Sequence, residues 1–348
     1  MRVHLAGPRR VRRTPEEGYA SLASGEQVDL LREVARTGAG HFGLEVRGIE
    51  LVRHEFNTTF RVDGSDGHRF AVRVNTNSFS SPEHIRAQHA WMRALAAETS
   101  LRLPVPLRTV AGADHTMVPT RHGEFVVVAA SWLDGEDVGE CDPIQARAMG
   151  RAMAAMHAHA ERWALPPGGR LSSFTDPFFG DDDRLSHAFP ADSREADLVR
   201  WSLRRCRDAI LTAERDCPPV VVHGDLHGGN LKWHRDELAV FDFDDCGIAS
   251  PALDLAIATF YLRGSAPRVE ERLRGGYGDV RSLPDVAPAV FEALVASRQL
   301  LLANDLLLST TEHLRAQARG YLDRTVDRLG HWRETGHFSL TPGTDRGR

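Results

Sequence analysis

The chain opens on a polar, arginine-rich stretch, MRVHLAGPRRVRRTPEEGY, without apolar periodicity, so residues 1–25 read as a flexible tail. The first periodic segment is QVDLLREVAR, in which Val28, Leu31 and Val34 recur at helical spacing. Three alternating segments follow: LEVRGIELVRHE, TTFRVDG and, after the turn signal SDG, HRFAVRVN. They predict an antiparallel meander. Ser80-Ser81-Pro82-Glu83 carries the serines and early proline of a helix start. That helix is predicted to run to about Glu98, with Ile85, Gln88, Met92 and Leu95 along one face. PVPLRTV and FVVVAAS read as two more strands.

The character changes at Ser131-Trp132-Leu133-Asp134-Gly135. Helices are predicted over Pro143–Trp163 and near 198–215, separated by a Pro-, Gly- and Asp-rich stretch of loops. Three short apolar strands, PVVVH, LKW and LAVFDF, come next, and the pattern from Pro251 to about Trp332 is helical. This order describes an α+β protein of two lobes rather than a βαβ enzyme. The expected division is a tail over 1–25, an N-lobe with an antiparallel sheet and one helix over 26–130, a hinge and mainly helical C-lobe over 131–340, and a disordered end over 341–348.

Composition narrows the function. A length of 348 residues suits two units of about 150 each. The net charge of −5 lacks the basic field of a nucleic-acid binder. Cys141, Cys206, Cys217 and Cys246 are too scattered for a disulfide framework or a thiolate zinc site. No run approaches the ~18 apolar residues of a membrane span, and the N-terminus lacks the apolar stretch of a signal peptide. A cytoplasmic protein with no membrane partner is expected. Of the 43 basic residues, only Lys232 is a lysine.

Gly38-Ala39-Gly40-His41-Phe42-Gly43 fits G-x-G-x-x-G, but the order is helix, glycines, strand, the reverse of a dinucleotide fingerprint. It reads as a helix end and connector. The informative segment is VVHGDLHGGNLKWHRDELAVFDFDDCGIASPALDLA, residues 221–256. Asn230 follows Asp225 by five positions, and Asp242 ends an apolar strand twelve further on. Phosphoryl transfer needs an acceptor or orienter for the proton of the attacking hydroxyl. It also needs hard oxygen ligands for magnesium. Protein kinases supply these with D-x-x-x-x-N and a following aspartate.

With His-Gly-Asp-Leu-His-x-x-Asn, an apolar strand ending in Asp-Phe-Asp-Asp, and Pro-Ala-x-x-Asp-Leu, the chain resembles the aminoglycoside phosphotransferase and homoserine kinase type II group. That group includes choline-kinase-like and bacterial stress-response kinases. The resemblance spans roughly residues 27–330 and implies a two-lobed protein-kinase-like fold with a catalytic hairpin in the C-lobe. It makes Asp225 the catalytic aspartate, Asn230 and Asp242 the magnesium ligands, and Asp254 a buried anchor of the catalytic loop. His223 reads as packing beneath that loop. For His227, loop packing and substrate contact stand equal. Asp244 and Asp245 read as solvated or structural, with help to the metal the alternative for Asp244.

The N-lobe departs from the pattern. The turn expected over the ATP phosphates, His54-Glu55-Phe56-Asn57-Thr58-Thr59-Phe60, has no glycine, so Asn57 and Thr58 are expected to bind phosphate oxygens. Arg73 stands where relatives carry a lysine, and its guanidinium is competent for that role. Gln88 falls where a glutamate partner of the cation is expected. Lys232, by strand alternation, is expected to face solvent if Leu231 and Trp233 pack inward. Ser131 and Leu133 are expected to bind adenine through the backbone.

The resemblance thus implies an ATP- and Mg2+-dependent kinase acting on a hydroxylated small molecule: an antibiotic, an amino alcohol or a sugar. A protein Ser/Thr kinase of the stress-response type and a non-catalytic pseudokinase are the alternatives. The acidic stretch Asp176, Asp181, Asp182 and Asp183 reads as a solvated loop, with a cationic acceptor the alternative. Trp163, Phe174, Phe178 and Phe179 are candidates for acceptor-pocket walls or for local core.

Overall fold

The computed structural model describes residues 17–77, 81–264 and 267–342. Residues 1–16 of the expected N-terminal tail, Ser80 of the expected helix start and residues 343–348 of the expected C-terminal end lie outside them. The N-terminal part holds α1 (Glu17–Ala20), α2 (Ser24–His41), β1 (Val46–His54), β2 (Thr58–Gly64), β3 (Arg69–Val74), α3 (Pro82–Glu98), β4 (Thr116–Thr120) and β5 (Gly123–Ser131). The chain continues through β6 (Glu136–Asp137), α4 (Pro143–Ala160), α5 (Arg194–Asp216), β7 (Val220–Val222), β8 (Leu231–His234), β9 (Glu237–Val240) and β10 (Gly247–Ala249). It ends with α6 (Pro251–Leu262), α7 (Pro267–Gly278), α8 (Pro288–Leu308) and α9 (Glu312–Thr335). Among these, no helix is long and apolar enough to cross a membrane.

The N-lobe sheet is antiparallel, ordered β1-β2-β3-β5-β4. Its alternation works as the sequence implies. Phe60, Val62, Val72, Val74 and Val127 point to one face and pack against Leu31, Val34, Ala35 and Ala39 of α2. Gly38 allows that contact, because a Cβ there would meet the Val127 side chain. Gly43, at φ +75°, ends the helix region. The glycine-rich stretch is therefore a packing and termination device, as its position between helix and strand implied.

Two expectations are corrected. The described residues are helical from the first of them, Glu17, and Tyr19 is fully buried against Phe125, so the expected tail does not extend to residue 25. PVPLRTV forms only a bridge, Pro106 to Ala130, and the edge strand is TMVPT instead. Pro104 and Pro106 lack the amide donors that a ladder needs.

In the C-lobe, the β8–β9 hairpin turns through Arg235 and Asp236, both at positive φ, and pairs Leu231 with Val240. Phe241 N then donates to Asn230 O at 3.0 Å. This places the residues just before and just after the hairpin side by side. Helix α4 packs closely on α7, and small residues set the distance: a Cβ on Gly150 would overlap the Leu273 carbonyl, and one on Gly276 the Arg147 carbonyl. The contact matters to the site. It brings Tyr277 Oη of α7 to 3.0 Å from His157 Nδ1 of α4, and His157 Nε2 lies 2.9 Å from Asp254 of α6.

Gly150→Ala is expected to lower stability by about 1–3 kcal/mol, the usual cost of overpacking. Gly40→Ala, in α2 with open space around it, should be neutral or stabilising by up to ~1 kcal/mol. Urea unfolding midpoints of the two variants check this.

Candidate active site

Asp254 anchors the loop between β7 and β8. It is completely buried. One carboxylate oxygen accepts from Gly224 N at 2.9 Å, and the other from His157 Nε2 at 2.9 Å and, more weakly, His223 N at 3.4 Å. Burial alone would raise its pKa, but the hydrogen bond and charge of His157 and the Gly224 amide outweigh it and hold the carboxyl below its ordinary value. His223, also fully buried, lies with Nε2 3.1 Å from Phe241 O and its ring against Phe243, which ties the loop to the end of the hairpin. His223 therefore packs beneath the loop.

Asp225 projects from this loop into a cavity of about 270 Å³ between the lobes. Asn230 Nδ2 donates to Asp225 Oδ2 at 3.0 Å and to its backbone carbonyl at 2.9 Å. Arg298 of α8 pairs with Oδ1, and Tyr261 Oη donates to the same oxygen at 3.2 Å. His227 stands 3.6 Å from Oδ2 and stacks on the Tyr261 ring. Burial would lift the Asp225 pKa. The Arg298 guanidinium, with His227 beside it, overrides this and keeps the carboxyl well below the usual carboxylate range.

Across the cavity, Arg73 of β3 donates to Asp242 Oδ1 at 3.0 Å and pairs through its other terminal nitrogen with Asp244. Asp242 sits at φ +63°, where the chain leaves the hairpin. Asp244 also accepts from Asn57 Nδ2 at 2.6 Å and from Gln88 Nε2 at 3.4 Å. Burial, followed by the charges of Asp242 and Asp245, pushes the Asp244 carboxyl upward against the pull of Arg73. Gln88 thus makes no hydrogen bond to the cation. Asp244 from the C-lobe pairs with Arg73 in place of the expected α3 residue, so Asp244 is not solvated.

The donor set fits a hard cation. Asn230 turns its amide nitrogen to Asp225, which leaves Oδ1 as a ligand atom, and the Asp242 side chain is 39% exposed at the same cavity. Among the described residues no group of three or more His, Cys, Asp or Glu side chains could hold a metal alone. A two-ligand site completed by phosphate oxygens and water is the usual arrangement for magnesium.

A second cavity, of about 180 Å³, adjoins the first and shares Arg53, Thr59, Arg73 and Asp242 with it. Ser131 and Leu133 line it, with apolar walls from Ala71, Met92, Val128 and Phe243. Thr58 does not face either cavity. It is fully buried, 2.8 Å from His54 Nδ1, and Thr59 takes the cavity-facing position, one step away in the strand alternation. Lys232 also departs from expectation. It binds Asp137 at 2.8 Å and Gly135 O at 3.3 Å, lies over the Trp132 ring, and lines this cavity rather than pointing to solvent. The edge strand β6 pairs with β8 and draws Lys232 inward.

The acidic stretch lines neither cavity. Asp176 accepts from Phe178 N, and Asp183 from Ser186, as local turn caps. Phe174, Phe178 and Phe179 are core, with Phe174 stacked on Phe179. Among the lining residues that no motif announces are Arg53, Tyr261 and Arg298. Arg298 had one signal, a charge inside the otherwise apolar run ALVASRQLLLA.

The sequence pattern of a family described as the phosphotransferase enzyme family matches residues 49–289. An amicoumacin kinase from Bacillus subtilis (strain 168) is 25% identical over 236 residues, covering 66% of this chain and 67% of that protein. Two solved structures share the fold. A microcompartment-associated aminopropanol kinase superposes with a TM-score of 0.68 at 20% identity, covering 90% of this chain and 100% of that one. An amicoumacin kinase in complex with AMP-PNP, Ca2+ and Ami does so with a TM-score of 0.66 at 18% identity, covering 92% and 97%.

Asp254→Asn is expected to cost about 2–5 kcal/mol at neutral pH, because buried donors lose their carboxylate. The folded-state pKa is depressed, so the contribution is present above the ordinary value of 3.8 and is lost as pH falls through the lowered one. Denaturation at pH 7 and below pH 4 should show the gap between wild type and variant narrowing in acid.

Proposed function

The chain belongs to the phosphotransferase enzyme family, whose reaction is ATP-dependent transfer of a phosphoryl group to a hydroxyl of a small molecule, and we propose that Asp225 receives that hydroxyl. The observation that carries this reading is convergence. Asp225, Asn230, Asp242 and Arg73, from three separate segments, face one cavity that opens onto a second, largely apolar one beside the hinge.

In this reading adenine occupies the hinge cavity beside Ser131 and Leu133. The phosphates lie under the turn at Asn57, against Arg73. Mg2+, when bound, neutralises the donor phosphates and draws charge from the leaving group. Asn230 and Asp242 would hold it. The transition state for phosphoryl transfer is loose, so the nucleophile needs alignment more than deprotonation. Asp225 suits that role, since it is firmly ionised and fixed on both oxygens. Arg73 supplies a permanent two-pronged cation. Asn57 also fits, since its Nδ2 donates one hydrogen to Asp244 and keeps a second for a phosphate oxygen. Thr59 replaces Thr58 as the side chain toward phosphate.

The acceptor is proposed to be a hydroxylated small molecule bound beside Asp225, His227 and Tyr261. None of the four cysteines is joined in a disulfide, which supports the expected cytoplasmic setting. ADP release with an acceptor panel of 1-amino-2-propanol, amicoumacin, an aminoglycoside, a sugar and a generic protein tests the class. One of the small alcohols is expected to stimulate turnover, and the protein is not.

Asp225→Asn should retain nucleotide binding and lower turnover by on the order of 10²–10⁴. Steady-state ADP release at saturating ATP, on protein shown to be folded, checks it. Asp242→Ala should abolish the gain in nucleotide affinity that Mg2+ provides, because a hard ligand is lost between protein and phosphates. Calorimetric titration of ATP analogue with and without Mg2+ reads this directly, and an undiminished gain would remove Asp242 from the metal site.

A further inference from the structure

We infer that Arg298, a buried guanidinium on α8 far in sequence from every motif, is the positioning residue that fixes the Asp225 carboxylate for phosphoryl transfer. The inference rests on the reading of Asp225 given above and deepens it.

The geometry is specific. A carboxylate on a short side chain can rotate about χ2, and a rotated Asp225 would present the wrong lone pair to an incoming hydroxyl. Asn230 holds Oδ2 from the loop itself. Oδ1 receives nothing from the loop in the bonds described, and is held by Arg298 Nη2 and by Tyr261 Oη. Arg298 also braces Tyr261, with Nε at 3.1 Å and Nη2 at 2.9 Å from its hydroxyl, so the three groups form a closed triangle. Burial keeps the Tyr261 phenol neutral and therefore a donor. The arrangement fixes the carboxylate plane from both ends.

Its cost argues for function over packing. The Arg298 side chain is 3% exposed, and its Nη1 is buried with no hydrogen-bond partner among the described residues. An apolar residue in the neighbourhood of Leu294, Leu301 and Leu302 would avoid that penalty. Helix α8 is otherwise a core helix, and Arg298 faces Asp225 as the single cation it sends to this cavity among the described residues.

The test uses full-length protein, with ADP release from Mg-ATP measured with water and with each panel alcohol as acceptor. Arg298→Met should lower kcat about 10²-fold, the scale of a misplaced reacting group. KM for ATP should stay within about threefold, because Arg298 does not line the hinge cavity. Arg298→Lys should recover only part of the loss, since a point charge replaces the fork that grips both Asp225 and Tyr261. In an Asp225→Asn background, Arg298→Met should add no more than about threefold, because the two act as one unit. The inference fails if folded Arg298→Met keeps wild-type kcat, or if its defect multiplies with that of Asp225→Asn. If the methionine variant does not fold, Arg298→Lys decides: wild-type kcat in it overturns the inference. Tyr261→Phe, which leaves every charge in place, should lower kcat several-fold with KM for ATP unchanged, and no change in kcat counts against it. A wild-type rate in Asp225→Asn would instead overturn the reading of Asp225 itself, whatever Arg298 does.

Discussion

A carboxylate without access to water must be paired, and much of this molecule is arranged around that demand at Asp254. Its partners are the amides of the loop that carries Asp225 and the ring of His157 on α4. The loop is therefore held from below by an ion that has nowhere else to bond. The requirement propagates outward. His157 is held in turn by Tyr277, and Tyr277 reaches it because α4 and α7 meet through Gly150 and Gly276 without intervening side chains. The close contact of α4 and α7 thus helps set the position of the loop that carries Asp225.

The cleft itself is a balance of charge. Asp242, Asp244 and Asp245 crowd one wall, and Arg73 is the cation that spans the first two. Asp225 stands apart from that cluster with its own guanidinium from α8. Arg73 grips Asp242 and Asp244 while Arg298 grips Asp225, so the two walls of the cleft each carry their own guanidinium. N-lobe and C-lobe meet at the same place: Asn77 binds Phe56 O in the β1–β2 turn and the 310–311 segment beyond α8. Helix α8 therefore carries Arg298 to Asp225 and leads directly into the segment that steadies the turn.

Local pattern made much of this legible. Asp225 and Asn230 precede, and Asp242 follows, a hairpin whose alternation and turn are local, and local signals place them together. The α2–sheet packing follows from period-2 and period-3.6 spacing in the same way. What escaped was tertiary. Thr58 and Thr59 differ by one step of the pleat, and only the core decides which faces the cleft. Lys232 turned inward because a two-residue strand, too short to announce itself, paired with β8. Asp244 displaced the expected α3 partner of Arg73 from a different lobe. Arg298 and Tyr261 lie on helices read correctly as helices, but a buried charge inside an apolar helix names no partner. PVPLRTV failed as a strand on chemistry visible in the sequence, the missing amides of two prolines.

The central claim is that both cavities form one reaction cleft, with the transferable phosphate between Arg73 and Asp225. A crystal structure with AMP-PNP and Mg2+ tests it most directly. The account predicts adenine beside Ser131 and Leu133, the cation on Asn230 Oδ1 and the Asp242 carboxylate, and the terminal phosphate facing Asp225 with the Asp225–Arg298 pair intact. A cation held away from Asn230 and Asp242, or a terminal phosphate turned away from Asp225, would contradict it.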